Sequence, residues 1–123
     1  MPLDLTGDWH VTHHVDASIR PDFLGLAIEF RMAINQDGPQ LAGHGEKFLV
    51  DQQRAGADQA SRLEVTGWVS EAGVQISLIE VGPARTIIGD ITWRALGSDH
   101  MAGSFRVDLA QTSGRSEAVR RTM

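Results

Sequence analysis

Apolar and polar residues alternate along most of this chain, with the period of two that is typical of a strand with one buried face. The clearest example is the segment 26–34, in which every second residue is large and apolar: Leu26, Ile28, Phe30, Met32 and Ile34. No comparable stretch has apolar residues at helical spacing between capping residues. The pattern therefore predicts a nearly all-β protein.

Turn-forming residues divide the alternating pattern into eight predicted strands. The predicted strands are residues 9–15, 26–34, 41–49, 63–69, 74–81, 85–96, 101–109 and 116–122. Consecutive antiparallel strands avoid exposed edges by closing into a barrel, and an eight-stranded barrel has room for side chains or for one small ligand. We therefore expect one domain over residues 1–123, an eight-stranded antiparallel up-and-down β-barrel.

Glycine recurs two residues after an apolar residue in four of the predicted strands. The pairs are Leu41/Gly43, Val65/Gly67, Ile87/Gly89 and Met101/Gly103. Repeated glycine on the apolar face of strands favours sharp coiling, as a small barrel requires.

Two connections are longer than the rest. Residues 50–61 form the longest, which is polar. Residues 16–25 hold Ile19, Phe23 and Leu24, and predict a long loop or one helical turn. Because three large apolar side chains are unusual in a solvated linker, we expect this loop to fold over the barrel opening, either as a lid with Phe23 against a ligand or as a permanent cap.

Composition excludes several classes of protein. The 123 residues include no cysteine, so disulfides and thiolate metal sites are ruled out. The net charge of −5 and the scattered arginines make nucleic acid an unfavourable partner. No signal peptide and no apolar stretch of about 20 residues is present, so we expect a cytoplasmic protein with no membrane partner. Ten arginines against one lysine are typical of a GC-rich bacterial source.

The opening strand has a motif, Gly7-Asp8-Trp9, ahead of a strand-only chain with later Leu-x-Gly patterns. This layout resembles the calycin group, which comprises lipocalins, fatty-acid-binding proteins and avidins. The resemblance implies a lipocalin-like barrel in which Trp9 plugs the closed end and an arginine of the last strand, Arg120 or Arg121, packs across it. Where an avidin places polar ligands for biotin, this chain has Val11, Gly45 and Lys47, which argues against biotin.

Alternation also directs four ionisable residues into the predicted barrel: His13, Lys47, Glu80 and Arg85. Inside an apolar barrel these groups would shift one another's pKa values, which is how general acids and bases arise. The alternative is that Glu80 forms an ion pair with Arg85 or Lys47 near the barrel mouth.

A metal site is not expected, although His10, His13 and His14 are close in sequence. In a strand, His10 and His14 share a face but stand roughly 13 Å apart, and His13 faces the other way. We therefore predict neither a metal nor another cofactor.

Two functions remain open at this point. The first is binding of a small, mostly apolar or amphipathic molecule inside the barrel. Its predicted ligand-binding residues are His13, Phe23, Phe30, Met32, Lys47, Ile76, Leu78, Glu80, Arg85, Trp93 and Phe105. The second is a cofactor-free lyase, isomerase, cyclase or hydrolase that uses His13 and Glu80 as acid and base. Trp68 is predicted to face outward, where it could support a homodimer or a purely structural role.

Overall fold

The computed structural model describes residues 4–50, 53–54, 61–82 and 85–121, which form nine antiparallel strands. The strands are β1 (Gly7–Ala17), β2 (Ala27–Asp37), β3 (Gln40–Val50), β4 (Gln53–Arg54), β5 (Ser61–Ser70), β6 (Gly73–Val81), β7 (Thr86–Ala95), β8 (His100–Val107) and β9 (Thr112–Arg120). Short 3-10 turns occur at Pro21–Phe23 and Leu109–Gln111. None of the helical segments in these ranges is long and apolar enough to span a bilayer.

Eight of these strands close into a ring, which confirms the predicted up-and-down barrel. Each pairs with its neighbours in the chain, β1 also pairs with β9, and β3 passes directly to β5. The two-residue β4 pairs with the end of β3 and is not one of the eight strands of the barrel. Closure leaves no long sheet edge unpaired, so the backbone hydrogen bonds are satisfied around the whole ring.

Several predicted strand boundaries differ from the observed ones, and two of the differences are larger or affect the site. The last strand begins at Thr112 rather than at Ser116, because the Thr-Ser-Gly sequence, interpreted as a turn, pairs with β8 and places Gly114 opposite Phe105. Ser61 was assigned to the long loop but begins β5, opposite Lys47. Most of that loop lies outside the described residues.

One end of the barrel is closed by Trp9, as predicted. Its ring is fully buried, and its Nε1 donates a hydrogen bond to the carbonyl of Leu5 at 2.9 Å. The Arg120 guanidinium lies 4.5 Å above the indole, which decides between the two candidate arginines. Arg120 also donates to the carbonyls of Thr6 and Asp4, at 2.6 and 2.7 Å, so one side chain ties the first strand to the last.

The half of the barrel above this plug is solid. Its buried apolar side chains include Met32, Leu63, Ile76, Leu78, Ile91, Trp93 and Met101. Trp93 donates from Nε1 to Ser116 Oγ at 2.8 Å, so the large buried indole satisfies its polar atom. A packed interior of this kind supplies stability and leaves no room for a ligand.

Glycine permits close approach between neighbouring strands at the predicted apolar-x-Gly positions. A Cβ added to Gly43 would collide with the carbonyl oxygen of Ala33, and one added to Gly67 would collide with that of Gln75. The strands can therefore coil more tightly here than a side chain would permit.

The outer face includes Trp68, which is 54% exposed, as the alternation predicted. Whether this face pairs with a second copy of the chain stays a prediction.

Candidate functional site

A cavity of about 490 Å³ occupies the end of the barrel opposite Trp9. Its mouth lies among the connections that follow β1, β6 and β8. His13, Phe30 and Phe105 lie at its inner end, next to the solid core, and apolar side chains such as Ile28 and Ile87 form its walls. The barrel is therefore filled at one end and hollow at the other.

Strand register explains which side chains reach this cavity. Val11 and His13 are successive inward residues of β1, and Val11 stands opposite Phe30 of β2. The pairing of β2 with β3 is regular from Ile34 to Phe30, which stands opposite Lys47, and it shifts only beyond that pair, at Glu29. Because side chains alternate along a strand, this regular pairing puts Lys47 on the same side of the sheet as Phe30, which is the cavity side.

His13 is held between two phenylalanine rings. Its side chain is 2% exposed, its ring is stacked on Phe105 at 4.0 Å between centroids, and Phe30 meets it edge-on at 4.9 Å. Gly114 and Ser116 lie on β9, between the strands of His13 and Phe105. These small residues leave space for the two rings to stack across β9.

The electrostatic state of His13 follows from this burial. Desolvation, with a smaller contribution from the charge of His14, lowers the pKa of His13 from 6.5 to about 3. The ring is therefore a neutral imidazole at neutral pH. Its Nε2 is buried and has no hydrogen-bond partner within the described part of the chain.

Unlike His13, which is uncharged, the buried Glu80 forms an ion pair. Lys47 Nζ donates to Glu80 Oε2 at 2.9 Å, and Ser61 Oγ donates to the same oxygen at 2.9 Å. The side chains of Glu80 and Lys47 are only 7% and 15% exposed, so the two charges compensate each other within the barrel wall. This is the ion pair that the sequence left as the alternative for Glu80, with Lys47 as the partner.

The observed position of Arg85 differs from the predicted one inside the barrel. It lies before the start of β7 rather than inside the strand, and it is exposed at the cavity mouth. A long side chain at a strand end can place its charge in water while its stem lines the opening.

The β1–β2 connection covers part of the opening, with Phe23 as its apolar contact. Phe23 is half-buried, lines the cavity and lies 4.4 Å beneath the Arg20 guanidinium, which also pairs with Asp22 at 2.9 Å. The predicted helical turn is present at Pro21–Phe23. Phe23 is the apolar side chain of this loop that reaches the cavity, whereas Ile19 is 70% and Leu24 50% exposed.

The predicted ligand-binding residues fall into two groups. Seven line the cavity: His13, Phe23, Phe30, Lys47, Glu80, Arg85 and Phe105. Four are buried in the solid half instead: Met32, Ile76, Leu78 and Trp93. Alternation shows that a side chain faces inward but not how far along the barrel axis it lies, and this depth separates the two groups.

Several cavity residues were missed by the sequence reasoning. Ser61 was placed in a loop, although it donates to Glu80, and Val15 was given no role at the end of the first predicted strand. Ile87 and Val107 were visible in the alternation of their strands. No local pattern indicates the contact between Ser61 and Glu80, because it depends on strand pairing.

The described residues contain no group of three side chains suited to hold a metal ion. His10 instead contacts Glu29 at 2.7 Å on the outer face, and His13 faces the interior.

A second depression, of about 680 Å³, lies near the closed end. It is lined by turn residues such as Gly38, Pro39 and Glu71, which are exposed. It contains no histidine and no buried charge, so the cavity around His13 is the candidate site.

Comparison with known proteins identifies a fold but no family. No protein-family model matches the sequence, and no curated protein matches it. A solved structure described as a redesigned beta barrel is similar, with a TM-score of 0.60 over 97% of this chain and 92% of that chain. The two are 12% identical, so the likeness is one of fold alone.

Proposed function

We propose that this protein binds a small, mostly apolar or amphipathic molecule in the cavity at the open end of the barrel. The supporting observation is the cavity itself, whose volume of about 490 Å³ lies within the range of roughly 300–1,000 Å³ typical of small-molecule sites. Val15, Ile28 and Ile87 supply apolar surface. His13 and the Lys47–Glu80 pair supply polar groups in the interior, and charged side chains such as Arg85 lie at the mouth. This combination is typical of ligand pockets.

A second candidate function is cofactor-free catalysis, favoured by the observation that His13 and Glu80 line the same cavity. Binding has the better support. The lowered pKa of His13, about 3, makes its imidazole a weak base, and Glu80 is engaged by two hydrogen-bond donors, Lys47 and Ser61. Turnover of a bound compound that His13→Phe abolishes, with binding retained, would instead favour the enzyme.

We also propose that the barrel is lipocalin-like in the sense of the calycin group. The support is the Trp9 plug with Arg120 packed across it, the arrangement that the Gly-x-Trp motif implied.

The binding proposal is tested with a panel of fatty acids, monoterpenoids and aromatic acids in a thermal-shift assay. A ligand at 100 times its Kd stabilises the folded state by about 2.7 kcal/mol, which raises Tm by roughly 10 °C in a domain of this size. Absence of a shift across the panel, together with a filled interior in a crystal structure, would refute the proposal.

Two adjacent residues provide a matched pair of variants. Ile87 lines the cavity, whereas Ile88 is 58% exposed on the outer face. Ile87→Trp fills the cavity and should remove the ligand-induced shift. Ile88→Trp makes the same chemical change outside the barrel and should leave that shift intact. Equal shifts in both variants would place the ligand elsewhere.

A further inference from the structure

His13 is the buried polar group of the cavity that the fold leaves unsatisfied. Its Nε2 has no hydrogen-bond partner in the described ranges, although its side chain is 2% exposed. Buried polar atoms are nearly always partnered, and leaving one without a partner is unfavourable. A ligand that supplies the missing partner would recover part of this cost on binding.

The neighbouring polar side chains are already engaged. Ser116, opposite His13 on β9, accepts a hydrogen bond from Trp93. Glu80 accepts from Lys47 and from Ser61. Thr112, which also lines the cavity, donates to the carbonyl of Leu109 at 2.8 Å. None of these groups is placed by the fold as a partner for the imidazole.

We propose that the bound molecule presents an uncharged hydroxyl or carbonyl group to His13, with its apolar body along the cavity walls. This inference rests on the proposed binding function. His13 lines the cavity with its ring stacked on Phe105 and in T-shaped contact with Phe30, and a ligand group that reaches the imidazole nitrogens would supply the missing partner.

The uncharged character follows from the surroundings of the ring. A neutral imidazole has one donor and one acceptor, so it pairs with either a hydroxyl or a carbonyl. A carboxylate at the same place would be buried beside two aromatic rings and an uncharged base, and Lys47, the lysine that lines the cavity, is already paired with Glu80. Burial of an uncompensated charge is strongly unfavourable.

Three probes of similar shape test this inference: 4-propylphenol, propylbenzene and 4-propylbenzoate. One hydrogen bond contributes about 1–1.5 kcal/mol, so the phenol should bind the unmodified protein about tenfold more tightly than the hydrocarbon. The benzoate should bind more weakly than the phenol. Isothermal titration calorimetry at pH 7 measures all three affinities.

His13→Phe keeps an aromatic ring against Phe105 and removes both nitrogens. It should bind propylbenzene at least as well as the parent protein but lose the tenfold preference for the phenol. Thr112→Val is the matched control, because it removes a polar group of the same cavity whose hydrogen bond is already made within the protein. This variant should retain the preference.

A second readout does not depend on a stable variant. Addition of 4-propylphenol to the unmodified protein should shift the imidazole nitrogen resonances of His13, whereas propylbenzene should leave the hydrogen-bonded state of the ring unchanged. Equal affinity for phenol and hydrocarbon, a preference that survives His13→Phe, or tightest binding of the benzoate would overturn the inference and leave the binding function standing. Failure of all three probes to bind would overturn both.

Discussion

Replacement of His13 by phenylalanine should change how the stability of the protein depends on pH. The pKa of His13 is about 3 in the folded state against 6.5 without burial. Between these values the unfolded chain binds a proton that the folded protein excludes, so the free energy of unfolding falls as the pH is lowered from 6.5 towards 3. Above pH 6.5 the imidazole is neutral in both states and this effect vanishes.

The size of the effect follows from the same two pKa values. At pH 5 the unfolded state gains about 2 kcal/mol from protonation of His13, while the folded state gains almost nothing. Phenylalanine cannot titrate, so the difference in unfolding free energy between His13→Phe and the parent should move by about 2 kcal/mol in favour of the variant from pH 7 to pH 5. Carboxylates that titrate in this range act on both proteins and cancel in the difference.

Urea unfolding at pH 7, 6 and 5, with equal m-values, measures this difference. His44→Phe is a suitable control, because His44 is exposed on the outer face of β3 and is solvated before and after unfolding. Its stability should follow that of the parent protein across the range. Parallel curves of unfolding free energy against pH for His13→Phe and the parent would mean that the folded state can protonate His13. That result would refute the desolvation of its imidazole.

Three further predictions concern the buried ion pair, the mouth and the plug. Lys47→Met should destabilise the protein by about 3–5 kcal/mol in urea unfolding, because Glu80 loses its partner inside the barrel wall. The double variant Lys47→Met with Glu80→Leu should recover most of the loss, and additive losses would contradict the coupling. If the loop is a lid, Phe23→Ala should weaken ligand binding, measured by calorimetry, with little loss of stability. A loss of about 3–5 kcal/mol in unfolding free energy would indicate a permanent cap, and unchanged binding with unchanged stability would place the loop in solvent. Arg120→Met should lower stability by about 2 kcal/mol or more by removal of charge-assisted hydrogen bonds, and an unchanged midpoint would show that the plug does not depend on it.

The fold was predictable because its determinants are local. Alternation shows which residues face inward, and the turn signals fix most strand ends, so eight strands and their closure follow without knowledge of distant contacts. The turn signals led to a wrong prediction where pairing with other strands determines the structure. Gly114 lies within a strand because β1 and β8 both pair there.

The inward or outward direction of the candidate site's side chains was predictable, but their position along the barrel axis was not. Alternation placed His13 and Glu80 in the interior, where both lie. It could not show that Trp93 belongs to the solid half and Phe105 to the cavity, since both face inward from neighbouring strands. It also could not choose Lys47 over Arg85 as the partner of Glu80, because that choice depends on the pairing of β3 with β5 and on where β7 begins.

His13 and Glu80 are both buried, but His13 is uncharged and Glu80 is in an ion pair. This difference affects how readily each could form a hydrogen bond with a ligand. Glu80 stays compensated by Lys47 and Ser61, so a ligand that binds to it must first break contacts of 2.9 Å. His13 avoids the desolvation cost by remaining uncharged, and among the described residues its Nε2 has no hydrogen bond that a ligand would have to break. Hydrogen bonding to His13 therefore adds to the apolar contribution of the cavity walls, whereas competition for Glu80 subtracts from it. On this physical ground, selectivity among apolar molecules of equal size should depend on His13, with the ion pair acting as a fixed part of the wall.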